Sequence, residues 1–242
     1  MNISGSGRIS AGEYNEKISV SGSAKIDGKV RCEALSCSGS VSGSGELQCI
    51  EDVKVSGSMK LEQGLTAQSI HISGSLKLGG ECVAEQDIKV SGGLKCHKNL
   101  KCTTLKVSGG IHCDEGIAAE EVKISGGINC AGLLNAENIE IEFGQAGCSI
   151  GSIGGSNITI LSRDSKNTIN RLALFSKLVK NTGMFQIHQA IEGDVIAVEK
   201  VSAPLIVGRV VAIGSGCQID LVQYSEEIEI HPDAIVKKLE KI

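Results

Sequence analysis

The chain has 242 residues, 41% of them hydrophobic, and a formal net charge of −4, so it is expected to fold and to lack a broad electrostatic attraction for nucleic acid. It contains 31 glycines, no tryptophan and only 2% aromatic residues, which argues against a globular core filled with large rings. The sequence has no secretory leader and no apolar run long enough to predict a transmembrane helix, so a cytoplasmic location is expected.

A short pattern built around a Ser-Gly pair repeats over about residues 3 to 143. Each pair lies between two triplets whose first and third residues are apolar and whose middle residue is predicted to face outward. Val53–Val55 is an example of the triplet before the pair, and Leu76–Leu78 is an example of the triplet after it. A third triplet in each period is of the kind seen near Leu47–Cys49. Alternation with a period of two predicts strands. The glycine of the pair recurs at nearly constant spacing, at Gly5, Gly22, Gly39, Gly57, Gly74, Gly92, Gly109 and Gly126.

Three short strands in each period of about 17 to 18 residues predict one turn of a parallel β-helix, here called a coil. Stacked coils place equivalent residues above one another and pair their backbones. The glycine is expected at a corner because a sharp turn often needs a positive φ. Helical repeats are excluded, since their periods are longer and their apolar spacing is three or four residues.

The predicted organisation is a β-helix of about eight coils over residues 1–160, an amphipathic insert or linker over 161–183, and further coils with a charged tail over 184–242. The C-terminal coils are aligned on Ile196, Ile213 and Ile230, which recur with the same period. In the insert, the candidates for a membrane or partner contact are Leu172, Phe175, Lys177 and Val179. Packing of this short, weakly basic segment on the solenoid is the interpretation that we favour.

The ten cysteines are predicted to be structural. Cys96, Cys113 and Cys130 fall in one inward column, and Cys32, Cys49 and Cys102 fall in another that alternates with alanine. That position requires a small apolar group, and cysteine can supply it. No Cys-x-x-Cys pair is present, so neither a metal site nor a cofactor site is predicted.

No catalytic residues are predicted, and the chain is not expected to be an enzyme. His71 and His112 are expected to face outward, and no nucleophile, base and orienting group can be assembled. The alternative is a β-helix enzyme acting on carbohydrate, which would need a pocket with convergent carboxylates on one face.

Lysines recur at the outward positions of two strands, beside acidic corners. Mutual charge compensation on a solvated surface is the favoured interpretation, and lateral contact with another solenoid or an anionic surface is the alternative. The two columns are Lys54, Lys89, Lys106 and Lys123, and Lys25, Lys60, Lys77 and Lys95.

The first coil is predicted to be an edge for self-assembly. Ile3 aligns with Val20 one period later, so the first strand begins almost at Met1 without a capping segment before it. An uncapped coil exposes unpaired backbone groups, which are a template for a second chain. Ile3 and Ile9 are the candidate polymer edge.

Coils written as Ile88-Lys89-Val90-Ser91-Gly92-Gly93-Leu94-Lys95-Cys96, repeated over about residues 3 to 143, resemble those of the bactofilins, bacterial polymer-forming cytoskeletal proteins. The resemblance implies a right-handed β-helix that polymerises without a nucleotide and scaffolds processes at the membrane or cell wall. The implied partners are further copies of the chain, a paralogous scaffold protein, a membrane surface or the cell-wall machinery, and no nucleic acid.

Overall fold

The computed structural model describes residues 1–144, 147–163 and 183–242, and these form parallel strands wound as a β-solenoid. The predicted parallel β-helix is confirmed. The chain divides into two compact units, Met1–Glu120 and Glu121–Ile242. Residues 164–182 lie outside the described residues, and with them the contact candidates Leu172, Phe175, Lys177 and Val179.

The first unit consists of short strands that repeat coil by coil. In chain order they are β1 (Asn2–Ile3), β2 (Ser6–Tyr14), β3 (Ile18–Val20), β4 (Ser23–Cys32), β5 (Leu35–Cys37), β6 (Ser40–Gly43), β7 (Leu47–Cys49), β8 (Val53–Val55), β9 (Ser58–Leu61), β10 (Leu65–Ala67), β11 (Ile70–Ile72), β12 (Ser75–Leu78), β13 (Cys82–Ala84), β14 (Asp87–Val90), β15 (Gly93–Cys96), β16 (Leu100–Lys101), β17 (Thr104–Val107), β18 (Gly110–Cys113) and β19 (Ile117–Ala118).

The register in this unit follows the sequence period. Val53 pairs with Ile70 in the next coil, and Ile70 pairs with Ile88 in the coil after that, in parallel strands. Within each strand the side chains alternate: Leu76 and Leu78 are buried, whereas Lys77 between them is exposed. The core is therefore a set of aliphatic columns enclosed by the three strands of each coil.

The Ser-Gly corner explains why glycine recurs, but the predicted reason is wrong. Among the described glycines, only Gly12, Gly28 and Gly216 have a φ in the positive range. A Cβ built on Gly74 would instead lie 2.0 Å from the carbonyl oxygen of Gly57 in the preceding coil. The corner needs glycine because successive backbones approach too closely for any side chain.

The second unit uses fewer and longer strands. They are β20 (Glu121–Ile124), β21 (Gly127–Asn135), β22 (Asn138–Phe143), β23 (Ser149–Ser162), β24 (Phe185–Ile187), β25 (Ala190–Val198), β26 (Val201–Ile213), β27 (Gln218–Ile230) and β28 (Ile235–Lys241).

The predicted C-terminal alignment is correct at one step and wrong at the other. Ile213 pairs with Ile230, but Ile196 pairs with Val211 rather than Ile213, because that coil is two residues shorter. A slip of two residues keeps every side chain on the same face of the strand, so apolar alternation alone does not distinguish the two registers.

Stacking in the second unit continues across residues 164–182. Ile150 of β23 pairs with Ile187 of β24, and Ile158 of β23 pairs with Ile196 of β25, both in parallel. Phe143 and Phe185 pack edge to face inside the core, with ring centroids 5.2 Å apart. The described strands on either side of residues 164–182 therefore belong to one parallel stack.

Candidate assembly surfaces

The N-terminal coil has strands that pair on one side among the described residues. β1 pairs with β3 and β2 pairs with β4, with Ile3 opposite Val20 and Ile9 opposite Ile26. Ile3 is half-buried, whereas the Ile9 side chain is 0% exposed. Ile3 can therefore offer its side chain to another chain, and Ile9 can offer only backbone groups.

Tyr14 lies in an inward column of the N-terminal coil, a position that the sequence analysis did not single out. It pairs with Cys32, in a column where other coils carry cysteine or alanine. The Tyr14 side chain is half-buried, and its hydroxyl donates a hydrogen bond to the carbonyl oxygen of Ser10, at 2.9 Å. A large ring in a column of small residues is a sequence signal for the end of a core.

The C-terminal coil of the second unit exposes apolar side chains beside a free strand edge. Within the described residues, β28 pairs only with β27. Large apolar side chains in and beside β28 are exposed to solvent: Ile230 by 37%, Ile235 by 58%, Leu239 by 45% and Ile242 by 65%. Unpaired backbone groups and exposed aliphatic side chains are together the surface that strand addition requires.

A ladder of like charge runs along the second-strand face of the first unit. Lys77 pairs with Lys60 in the preceding coil and with Lys95 in the next. None of the three has a carboxylate within ion-pair distance among the described residues. Stacked lysines about 4.8 Å apart repel one another, so this lysine ladder remains a candidate for contact with an anionic surface.

The neighbouring lysine column is different, because Lys54, Lys89 and Lys123 each have a carboxylate within ion-pair distance. Lys89 lies 2.9 Å from Asp87, whose carboxylate also accepts hydrogen bonds from Ser69 at 2.9 Å and contacts His71 at 3.0 Å. Partial burial raises the pKa of Asp87, but the bonds with Lys89, Ser69 and His71 outweigh it and hold the pKa at about 2. At this position the geometry agrees with the interpretation of a solvated surface whose charges compensate one another.

His112 and His97 share one carboxylate on the surface of the first unit. Asp114 lies 2.5 Å from His97 Nδ1 and 2.7 Å from His112 Nε2. The bond with His97, followed by that with His112, lowers the pKa of Asp114. Among the described residues, no group of histidine, cysteine, aspartate and glutamate is arranged to hold a metal ion.

An open groove of about 500 Å³ in the first unit brings carboxylates together, which bears on the enzyme alternative. Glu46, Glu81 and Glu115 line it above a floor that includes Gly79 and Gly80. Lys29 lies 3.0 Å from Glu46, and Lys98 lies 2.8 Å from Glu115. Hydrogen bonds from Gln48 and then Lys29 lower the pKa of Glu46, so this carboxylate is held ionised.

The sequence reasoning did not find this groove. Its carboxylates come from three corners that are far apart in the sequence, and only the stacking of coils brings them together. The available signal was that Glu46 and Glu81 each stand directly before the third strand of their coils.

No helix in the described part of the chain is long and apolar enough to cross a bilayer. No family model, no curated protein and no solved structure matches this chain.

Proposed function

We propose that this protein is a polymer-forming cytoskeletal scaffold that self-assembles through the ends of its β-solenoid, without a nucleotide. The resemblance of its coils to those of the bactofilins points in the same direction. The observation that carries the proposal is strand β28, which among the described residues pairs only with β27 and which exposes Ile235 and Leu239.

The proposed contact is addition of a strand from another copy to the edge of β28. Exposed strand edges are usually protected by charges, proline or a covering element, because they would otherwise recruit other strands. β28 does carry lysines, but Ile235 and Leu239 offer apolar surface on the same strand. Burying the exposed half of two large aliphatic side chains favours association by roughly 1.5 to 3 kcal/mol before the entropic cost is subtracted.

The proposed scaffold needs no nucleotide, since pairing of strand edges is itself the source of affinity. Its proposed partners are further copies of the chain, a paralogous scaffold protein with the same coil geometry, a membrane surface or the cell-wall machinery. A cytoplasmic location is part of the same proposal.

Sedimentation and negative-stain microscopy of the purified chain without nucleotide test the proposal. We expect ordered polymers for the wild type and short or absent polymers for Ile235→Lys, because a charge would then lie at the strand edge. Ile50→Lys is the matched control, since Ile50 is also 58% exposed but lies at a corner of the first unit. A wild-type protein that stays monomeric at high concentration contradicts the proposal.

The groove with Glu46, Glu81 and Glu115 supports a second candidate, a β-helix enzyme acting on carbohydrate. A glycosidase needs one carboxyl group that stays protonated near neutral pH and one that is ionised. Glu46 and Glu115 are engaged with lysines, so Glu81 is the residue to test. Hydrolysis of a cell-wall glycan that is lost in Glu81→Gln would establish this candidate, and absence of hydrolysis would remove it.

A further inference from the structure

We propose that Cys32 and Cys49 form a peroxide-sensitive dithiol that closes to a disulfide between adjacent coils. The two residues are register partners in the parallel strands β4 and β7, and their sulfur atoms lie 3.4 Å apart. Adjacent strands are about 4.8 Å apart, within the range of about 4.4 to 6.8 Å between Cα atoms that a disulfide spans. The disulfide can therefore form while the two coils keep their present register.

The two thiols are unequal, which gives each a role. The hydrogen bond from Cys49 lowers the pKa of Cys32, while the same bond and burial raise the pKa of Cys49. The thiolate is the reactive form of cysteine. We therefore expect Cys32 to attack and Cys49 to resolve, and the single variants below test that assignment, since either thiol can donate the hydrogen bond that they share.

Burial selects the oxidant. Cys32 is 1% exposed and Cys49 is 7% exposed, so a bulky disulfide cannot reach them, whereas hydrogen peroxide is small and neutral. The Cys32 thiolate attacks one peroxide oxygen, giving a sulfenic acid, and the second oxygen leaves as water after protonation. The Cys49 sulfur then displaces the sulfenic oxygen as a second water. Overall, two thiols lose two hydrogen atoms and one peroxide becomes two waters.

A second register pair in the same unit supplies a comparison. Cys96 and Cys113 are also Cα partners, but the Cys96 thiol lies 3.2 Å from the Gly80 carbonyl oxygen, and the Cys113 thiol lies 3.2 Å from that of Lys98. In the first pair, the carbonyl contact of Cys32, with Ala34, is longer at 3.6 Å. A carbonyl oxygen accepts a hydrogen bond from a thiol but repels the negative charge of a thiolate. The Cys96 and Cys113 thiols are therefore expected to ionise less readily than Cys32 and to be oxidised later.

Cys102 is the matched single-cysteine control. It opens onto a shallow depression lined by Ala84, Ala118 and Ala119, and Cys82 of the neighbouring coil is the register partner of Leu100 rather than of Cys102. It is also more accessible than Cys32 or Cys49. Peroxide can oxidise Cys102, but no cross-coil peptide can result.

The chain also offers conservative variants. The equivalent inward position holds Ala67 and Ala84 in the next two coils, and both are buried. Cys32→Ala and Cys49→Ala are therefore expected to fold, and circular dichroism checks that they do.

The experiment titrates the folded chain with hydrogen peroxide, blocks free thiols in denaturant and maps peptides by mass spectrometry. We expect a peptide linking Cys32 and Cys49 as the first cross-linked product, which removes two of the ten thiols in addition to any oxidation of Cys102. In Cys49→Ala, Cys32 should stop at the sulfenic acid, which dimedone traps, and in Cys32→Ala residue 49 should stay reduced.

Three results would overturn the proposal. One is a wild-type chain in which Cys32 and Cys49 stay reduced while Cys102 is oxidised. Another is a Cys96–Cys113 peptide that appears before the Cys32–Cys49 peptide. The third is equal trapping of Cys32 by dimedone in the wild type and in Cys49→Ala, which would show that Cys49 does not resolve the sulfenic acid.

Discussion

The Tyr14 hydroxyl donates a hydrogen bond to the Ser10 carbonyl oxygen, and its side chain occupies a column that holds cysteine or alanine in later coils. The side chain is half-buried in that column. We expect Tyr14→Ala to lower the free energy of unfolding by about 2 kcal/mol, because the buried part of the ring is lost. Tyr14→Phe keeps the ring and should cost at most about 1 kcal/mol. Urea unfolding distinguishes them, and equal losses would assign the effect to the hydrogen bond.

Replacing a corner glycine tests the stacking argument. Gly74→Ala would place a Cβ 2.0 Å from the Gly57 carbonyl oxygen, so the backbone must shift and stability should fall by about 3 kcal/mol. Gly93→Ala is the control, because a Cβ there meets no atom within 4 Å. Gly93→Ala should leave the free energy of unfolding unchanged or raise it by about 0.5 kcal/mol, because alanine lowers the conformational entropy of the unfolded chain. Thermal unfolding measures both, and similar effects would contradict the explanation.

Asp87 links stability to pH. Its pKa is about 2 in the folded chain, below the ordinary value of 3.8, so its contribution is present above pH 4 and is lost as the pH falls toward 2. Asp87→Asn should therefore cost about 1 to 2 kcal/mol at neutral pH and converge on the wild type near pH 2.

Asp52→Asn is the comparison for Asp87, because Asp52 lies 3.4 Å from the Lys54 ammonium, two coils earlier in the same column. With one ion pair at the surface, its loss should be at most about 0.5 kcal/mol. Equal effects of the two variants in urea unfolding at neutral pH would show that the cluster around Asp87 stabilises the fold no more than a single surface ion pair does.

A substitution in the lysine ladder is expected to raise the stability of the fold. Lys77→Glu would set a carboxylate between Lys60 and Lys95, turning two repulsive neighbours into attractive ones, and should raise stability by about 0.5 kcal/mol. The gain should disappear at high salt. Lys54→Glu, which removes an existing ion pair with Asp52, should destabilise. A loss of stability in Lys77→Glu at low salt would mean that the ladder is not under repulsion.

Ile3→Lys tests the N-terminal edge separately from β28. A charge at this half-buried position should shorten or abolish polymers while leaving the β content intact. Asn2→Lys, at the adjacent exposed position of β1, controls for added charge. Filament length by electron microscopy is the measurement, and unchanged length in Ile3→Lys would remove the N-terminal edge from the proposed assembly.

The order of strands in the first unit was predictable from the sequence because each coil is written with nearly the same residues. The triplet Ile88–Val90 predicts its neighbours at Ile70–Ile72 and Leu105–Val107, and the structure pairs them so. In the second unit the coil length varies, and alternation with a period of two allowed Ile196 to be aligned two residues away from its true partner, Val211. Repetition, rather than apolar pattern alone, therefore fixed the register.

The sequence by itself determined the period, the parallel β-solenoid and the inward columns, because a close repeat leaves one way to stack backbones and bury the aliphatic side chains that recur in each coil. The tertiary structure decided what lies between coils: the reason for each corner glycine, the distance between the Cys32 and Cys49 sulfurs, and the meeting of Glu46, Glu81 and Glu115 in one groove. These features depend on the separation of backbones and the directions of side chains in three dimensions, which a linear pattern does not contain.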